Sequence, residues 1–213
     1  MSTGIRVAGL RFSGREVRDL AAAWTALTVA FAVFLNRGLL RSLLSGRLGT
    51  VDLVSVAAES LVVVGTGFLL HELAHKVVAV RFGQTAEFRA DYSMLGLAML
   101  AALAGFLFAA PGAVHHRGRI TPRENGLIAV AGPAVNLVLA ALFLGVAVAT
   151  SGPLSSVANL GFLVNLLLAG FNMLPFGPLD GRTVLAWSKP VFAVSFLLSA
   201  GSAAVVLFGL LVG

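Results

Sequence analysis

The chain has 213 residues, of which 58% are hydrophobic and only 11% are charged, and it contains no cysteine. This composition and a mean hydropathy of +0.97 exclude an ordinary water-soluble domain and indicate an integral membrane protein. The formal net charge of +6 does not indicate a nucleic-acid partner, because the arginines lie in short loops between apolar runs, where they act as topology signals and lipid-headgroup contacts. Without cysteine, only His, Asp and Glu remain to bind a metal.

The first part of the chain predicts two membrane spans. Residues 1–18 carry four arginines and little apolar periodicity, which suits a segment at the membrane surface, and no cleavable signal peptide is expected. A first span is predicted over residues 20–35. The leucines and arginines of residues 37–50 predict a short amphipathic segment at the interface. A second, longer span is predicted over residues 52–80.

The second span contains the motif His71-Glu72-Leu73-Ala74-His75. Residues four apart lie on one helix face, so His71 and His75 can offer two imidazole nitrogens to one zinc ion while Glu72 holds a water molecule beside it. In so apolar a run these three polar groups would be costly unless they bound something. The alternative, a solvated helix face, would leave them without partners. The motif therefore predicts a zinc hydrolase.

The pattern then changes from helical to extended. Residues 85–92 alternate apolar and charged side chains, as in a short strand, and residues 94–110 are apolar again. We expect a short β element near residues 85–116. We also expect that the hydrophobic insertion at residues 94–110 is re-entrant or does not cross the membrane. His115 and His116 are adjacent, so at most one of them could reach a metal from a strand, and we interpret both as ordinary strand-end residues.

Three further spans are predicted over residues 125–149, 157–174 and 191–211. In the first of these, Gly132 permits close helix contact, Pro133 bends the helix, and Asn136 either bonds a neighbouring helix or lines a wet site. The second runs into residues 171–182, which contain two prolines and two glycines. Unwound backbone at membrane depth persists only where protein or a water-filled cavity surrounds it, so we expect a third zinc ligand there.

In this order, the motifs resemble those of the site-2 protease family of intramembrane zinc metalloproteases. The resemblance covers residues 55–190. It rests on His71-Glu72-Leu73-Ala74-His75, on Gly132-Pro133 with Asn136, and on Asn172-Met173-Leu174-Pro175 leading to Leu179-Asp180-Gly181. It implies that His71, His75 and Asp180 ligate one zinc ion. It further implies that Glu72 is the general base and that Asn172 binds the substrate or the developing oxyanion.

The same resemblance implies how substrates bind. Pro111, Gly112 and Ala113 resemble the family's membrane-embedded strand, along which an extended substrate pairs, and Asn136 is a further candidate for substrate binding. The implied activity is hydrolysis of peptide bonds within transmembrane segments of membrane proteins, with the lipid bilayer as the other partner. We expect one protease domain over residues 1–213 with its core at 52–190, and neither a PDZ nor a CBS domain.

Two other functions remain open at this stage. Another class of membrane zinc peptidase would cleave soluble or prenylated chains, but the Leu179-Asp180-Gly181 context fits it poorly. An ion transporter with broken helices would also place His, Asp and Asn inside the membrane. Glu72 argues against the transporter, since a transport site does not need a carboxylate next to two histidine ligands.

The metal site also predicts sidedness. His75 lies near the end of one span and Asp180 just after another, so these two ends must lie on the same side of the membrane to share an ion. That arrangement leaves Arg37, Arg41 and Arg47 on the opposite side and the rest of the 15 lysines and arginines on the active-site side. The positive-inside rule makes the active-site side cytoplasmic.

Overall fold

The computed structural model describes residues 4–35, 38, 42, 45–46, 50–106 and 110–212. Within these residues, five helices are long and apolar enough to cross a membrane. They are Gly14–Leu35, Ser55–Arg81, Pro122–Ala149, Pro153–Asn172 and Lys189–Gly209. This confirms the predicted all-α polytopic membrane protein with about five spans. The leucines of the amphipathic segment predicted after the first span lie outside the described residues.

The described part of the chain forms two small sheets and a helical bundle. In order, its elements are β1 (Gly4–Val7), β2 (Leu10–Ser13), α1 (Gly14–Leu35), α2 (Thr50–Arg81), β3 (Thr85–Ala90), α3 (Tyr92–Leu103), β4 (Gly112–Arg117), α4 (Pro122–Ala149), α5 (Pro153–Asn172), α6 (Asp180–Trp187), α7 (Lys189–Phe196) and α8 (Ser202–Val212). A π-helical turn joins α7 to α8, so the last span is continuous. Pro133 lies inside α4, which continues through it.

Helix α2 lies against three other spanning helices, α1, α4 and α5. Its buried Val63, Val64 and Phe68 belong to one apolar cluster that also contains Phe31 of α1 and Val164 of α5. A helix that is surrounded in this way must be apolar on most of its faces, as its sequence is. The polar residues near its end are therefore enclosed by protein.

The N-terminal segment differs from the prediction. Strands β1 and β2, which the sequence did not predict, form an antiparallel hairpin in which Val7 lies opposite Leu10. The two-residue turn needs positive φ at both positions, which Ala8 (47°) and Gly9 (82°) supply. Helix α1 then begins earlier than predicted, because the Ser13 hydroxyl accepts a hydrogen bond from the Glu16 backbone N–H (3.1 Å) and caps the helix.

The hydrophobic insertion forms α3, flanked by the strands β3 and β4. The two strands pair antiparallel, with Glu87 opposite His115. Helix α3 has 12 residues, which at ~1.5 Å per residue is too short for a hydrocarbon core of about 30 Å. Helix α3 alone is therefore too short to cross the membrane, which is consistent with the predicted non-crossing insertion.

A buried ion pair joins the N-terminal segment to α2 and β3. The Lys76 ammonium donates to both carboxylate oxygens of Glu16 (2.6 Å each) and to the Arg11 carbonyl (2.7 Å). It also lies 3.9 Å from the centre of the Phe12 ring. Glu16 accepts a further hydrogen bond from the Phe88 backbone N–H (3.0 Å). Because Lys76 lies one helical turn beyond the HExxH glutamate, these contacts fix the walls next to the candidate site.

Candidate metal centre

The end of α2 and the first residue of α6 bring the three predicted ligands together. Nε2 of His71 and Nε2 of His75 each lie 3.3 Å from Asp180 Oδ2. The two imidazole rings meet edge to face, with 4.6 Å between their centroids. All three ligand atoms lie within 4.8 Å of one another. The two histidines are only 4% and 6% exposed, so the cluster is shielded from bulk solvent.

Helix α4 holds both histidines through their other ring nitrogen. His71 Nδ1 donates to Asn136 Oδ1 (2.5 Å), and His75 Nδ1 donates to the Ile128 carbonyl (2.7 Å). A proton on Nδ1 leaves the lone pair on Nε2, the atom that faces Asp180. Helix α4 therefore fixes the tautomer and the ring orientation that a metal ligand requires.

The structure places Asn136, a predicted substrate-binding residue, inside the protein beside His71. This side chain is fully buried, and its Nδ2 donates to the Gly67 carbonyl (3.1 Å) and to Asn165 Oδ1 (2.9 Å). Asn165 Nδ2 in turn donates to the Gly161 carbonyl (2.9 Å). With no exposed atom and its amide bonded inside the protein, Asn136 supports His71, which is the interhelical alternative considered above.

Two carboxylate oxygens at the site have no hydrogen-bond partner among the described residues. They are Glu72 Oε2 and Asp180 Oδ2, and both are buried. A buried carboxylate without a partner is costly unless a cation neutralises it. Two imidazoles and one carboxylate are a donor set that zinc adopts in hydrolytic enzymes, so these residues fit one zinc ion.

Gly132 of α4 leaves the space that a metal ion needs. A Cβ at this position would lie 2.5 Å from His71 Nε2 and as close to His75 Nε2. Any side chain here would thus occupy the point where the ligand nitrogens converge. The sequence predicted only close helix packing for Gly132, and the structure adds this second role.

The predicted unwound segment after α5 positions Asp180. Residues 173–179 are not helical, and Gly177 has a φ of +62°. Helix α6 begins close against the end of α5, because a Cβ on Gly181 would lie 2.7 Å from the Leu174 carbonyl oxygen. The break and the close approach together direct the first residue of α6 towards α2.

A cavity of about 160 Å³ opens beside the ligands. Its walls include Glu72 and four residues from two other elements: Asn172, Gly112, Ala113 and His116. The structure thus brings the predicted Asn172, Gly112 and Ala113 to the site. His116, which we interpreted as an ordinary strand-end residue, also reaches the cavity.

Pro111 does not line this cavity. It is buried, and its carbonyl accepts a hydrogen bond from the Asp91 backbone N–H (2.9 Å). That contact fixes the start of β4 beside the end of β3, so the observed role of Pro111 is to shape the strand. His115 points away and is exposed, as strand alternation requires.

The fold and the site define a membrane-embedded zinc hydrolase. Over 188 residues, the chain is 40% identical to MJ0611 of Methanocaldococcus jannaschii, and the alignment covers 86% of this chain and 90% of that protein. It is 34% identical to YwhC of Bacillus subtilis over 140 residues, 55% of this chain and 63% of the relative. It is 34% identical to Rip3 of Mycobacterium tuberculosis over 173 residues, 77% of this chain and 39% of the relative.

The names of these relatives assign them as zinc metalloproteases, without stating a substrate. The chain belongs to this zinc metalloprotease family, in agreement with the resemblance of its motifs to those of site-2 proteases. No protein-family model and no solved structure matches it.

The first prediction separates metal binding from proton transfer. Glu72→Gln should retain zinc but lower the rate of peptide hydrolysis by at least about 10²-fold, because an amide cannot accept a proton from water. Asp180→Ala should lose both zinc and activity, because it removes a ligand. Zinc content by mass spectrometry and cleavage rate should be measured on the same preparations. Wild-type activity in Glu72→Gln would contradict the assigned role.

The second prediction concerns the space beside the ligands. Gly132→Ala should weaken zinc binding by about tenfold or more, because the added methyl group overlaps the point where the ligand nitrogens converge. Gly145→Ala, on the same helix, is the matched control, since a Cβ there meets nothing within 4 Å. Zinc titration against a chelator of known affinity measures the difference. Equal zinc affinity in the two variants would show that Gly132 serves helix packing alone.

Proposed function

We propose that the protein is an intramembrane zinc endopeptidase of the site-2 protease type, which cleaves transmembrane segments of membrane proteins. The observation that carries this proposal is the position of the motif inside a helix that is long and apolar enough to span a membrane. His71 lies ten residues before the end of α2 at Arg81, which corresponds to roughly 15 Å at the helical rise per residue. A substrate that already lies in the bilayer can reach such a site laterally. The names of the relatives and the position of Glu72 favour an enzyme over a transporter.

Strand β4 supports this proposal because it can hold an unwound substrate. One edge of β4 pairs with β3, and no strand within the described residues pairs with its other edge. Gly112 and Ala113 of this strand lie on the wall of the metal cavity. A helix must unwind locally before its peptide bond can be attacked, and strand addition replaces the backbone hydrogen bonds that it then loses.

The chain's own residues supply the proton transfers and the orientation. When bound, zinc supplies a Lewis acid that activates water and polarises a carbonyl group. Glu72 accepts a proton from the attacking water and delivers it to the leaving nitrogen as the C–N bond breaks. Asn172, whose Nδ2 is 3.0 Å from the Leu168 carbonyl, borders the same cavity and is placed to orient the substrate carbonyl or the developing oxyanion.

We further propose that the active-site end faces the cytoplasm. The ion pair between Lys76 and Glu16 joins the start of α1 to the end of α2, and β3 packs against both helices. The arginines of these elements and of the strand β4 therefore belong to one end of the molecule. Basic residues concentrate on the cytoplasmic side of membrane proteins.

The third prediction concerns the position of the cut. A reconstituted single-span substrate should be cleaved inside its apolar segment, nearer its cytoplasmic end, because the site lies below the membrane surface. Gly, Asn or Pro near the cut should raise the rate, and an all-leucine span should resist cleavage, since unwinding limits access. Mass spectrometry of the fragments, with and without a zinc chelator, maps the cut. Cleavage only in loops, or cleavage insensitive to the chelator, would refute the proposed function.

The fourth prediction concerns sidedness. The chain has no native cysteine, so each single cysteine variant has one label site. Thr85→Cys places this site before the α3 insertion, and Arg119→Cys places it after the insertion. Both should react with an impermeant thiol reagent from the cytoplasmic face, whereas Ser151→Cys, between α4 and α5, should react from the opposite face. Labelling of Thr85→Cys and Arg119→Cys from different faces would mean that the insertion crosses the membrane.

A further inference from the structure

An apolar cavity of about 140 Å³ lies directly beside the catalytic glutamate. It is bordered by α1, α2 and the strands β2, β3 and β4. Its apolar walls include Leu20, Leu69, Leu73, Phe88 and Val114. Nothing in the chemistry of metal binding or proton transfer described above uses this space.

The cavity shares two wall residues, Glu72 and Val114, with the metal cavity. Val114 belongs to β4, the strand beside which an extended substrate is proposed to pair. Successive side chains of an extended segment point to opposite sides, so one of the two residues at the scissile bond directs its side chain away from the open cavity and into the protein. The space beside Glu72 lies where such a side chain would enter.

We propose that this cavity is a specificity pocket, which binds an apolar side chain of a substrate residue that flanks the scissile bond. The proposal rests on the proposed function, because it requires an extended substrate at β4. It goes beyond that function by naming the side-chain class that the site selects.

Apart from Glu72, which is assigned to proton transfer, the polar groups on the cavity wall are paired with each other and favour an apolar occupant. Lys76 is 2% exposed and Glu16 is 1% exposed, and the ammonium is already bonded to both Glu16 oxygens and to the Arg11 carbonyl. The ring of Phe12 covers a further side of the ammonium group. A charged or amide side chain would thus enter a space in which this pair offers it no partner, which is costly.

The volume sets the size of the occupant. An apolar protein cavity of roughly 150 Å³ holds a benzene molecule. The cavity beside Glu72, at about 140 Å³, therefore suits the side chain of leucine, methionine or phenylalanine. Alanine would leave most of it empty, and tryptophan is too large.

Leu20 allows a test by changing the pocket's size. It lies on α1, outside the metal site and the proton-transfer path, and its side chain forms one wall. Substrates that carry Ala, Leu, Phe, Trp or Lys at each residue flanking the mapped cut should be compared. At one of these two positions the wild type should prefer Leu and Phe. Leu20→Phe makes the pocket smaller and should raise the cleavage rate of the Ala substrate relative to the Leu substrate by about tenfold or more. Leu20→Ala makes the pocket larger and should raise the rate of the Trp substrate relative to the Leu substrate by a similar factor.

Controls distinguish the pocket from general damage. Leu142→Phe, at a side chain that is 62% exposed, should leave the wild-type preference unchanged, and zinc content reports whether each variant is folded. If a Leu20 variant does not retain zinc, Leu69→Ala enlarges the same pocket from α2. Unchanged preference in zinc-loaded, active variants would overturn the pocket while leaving the proposed function intact, as expected if a lipid acyl chain fills the space. Absence of cleavage within the span by the wild type would overturn both.

Discussion

Burial of two imidazoles and two carboxylates within an apolar helical bundle is the constraint on which the site depends. Each unpartnered polar group at such depth is costly, so every atom needs a hydrogen bond or a ligand. The Nδ1 atoms of His71 and His75 bond to α4. The Nε2 atoms and the free Asp180 oxygen converge on one point instead, and the free Glu72 oxygen belongs to a residue that borders the same cavity. A divalent cation at that point neutralises the carboxylates and accepts the remaining lone pairs.

One face of α4 is matched to the spacing of the HExxH motif. Ile128, Gly132 and Asn136 are four residues apart, as are His71 and His75, so both sets lie along one side of their helices. The Ile128 carbonyl holds the second histidine, Asn136 holds the first, and Gly132 leaves the gap between them open. The helices run antiparallel here, since the earlier histidine, His71, contacts the later residue of α4, Asn136, and His75 contacts the earlier one, Ile128. This match explains how α4, which has few polar side chains, holds both histidine ligands in position.

The sequence predicted the parts of the site whose chemistry resides in side chains. Two histidines and a glutamate in an apolar run, followed by a proline- and glycine-rich break, indicated the ligands and the unwound segment around Asp180. The support from the Ile128 carbonyl could not be predicted, because every residue has a backbone carbonyl and this contact therefore requires no particular residue type. Asn136 was assigned to the substrate because its residue type does not reveal whether it faces a helix or a cavity. Alternation predicted β3, and the resemblance predicted the strand at β4. The hairpin of β1 and β2 also alternates, in Ile5-Arg6-Val7 and Leu10-Arg11-Phe12, but each run is only three residues long.

The most direct test of the metal centre is zinc K-edge X-ray absorption on the purified protein in lipid or detergent. Coordination by His71, His75 and Asp180 predicts one zinc per chain, with imidazole scattering from two rings. Nitrogen and oxygen ligands should lie at about 2.0–2.2 Å, with no sulfur at about 2.3 Å. A spectrum without imidazole scattering, or zinc well below one equivalent in protein purified without chelator, would contradict the site described here.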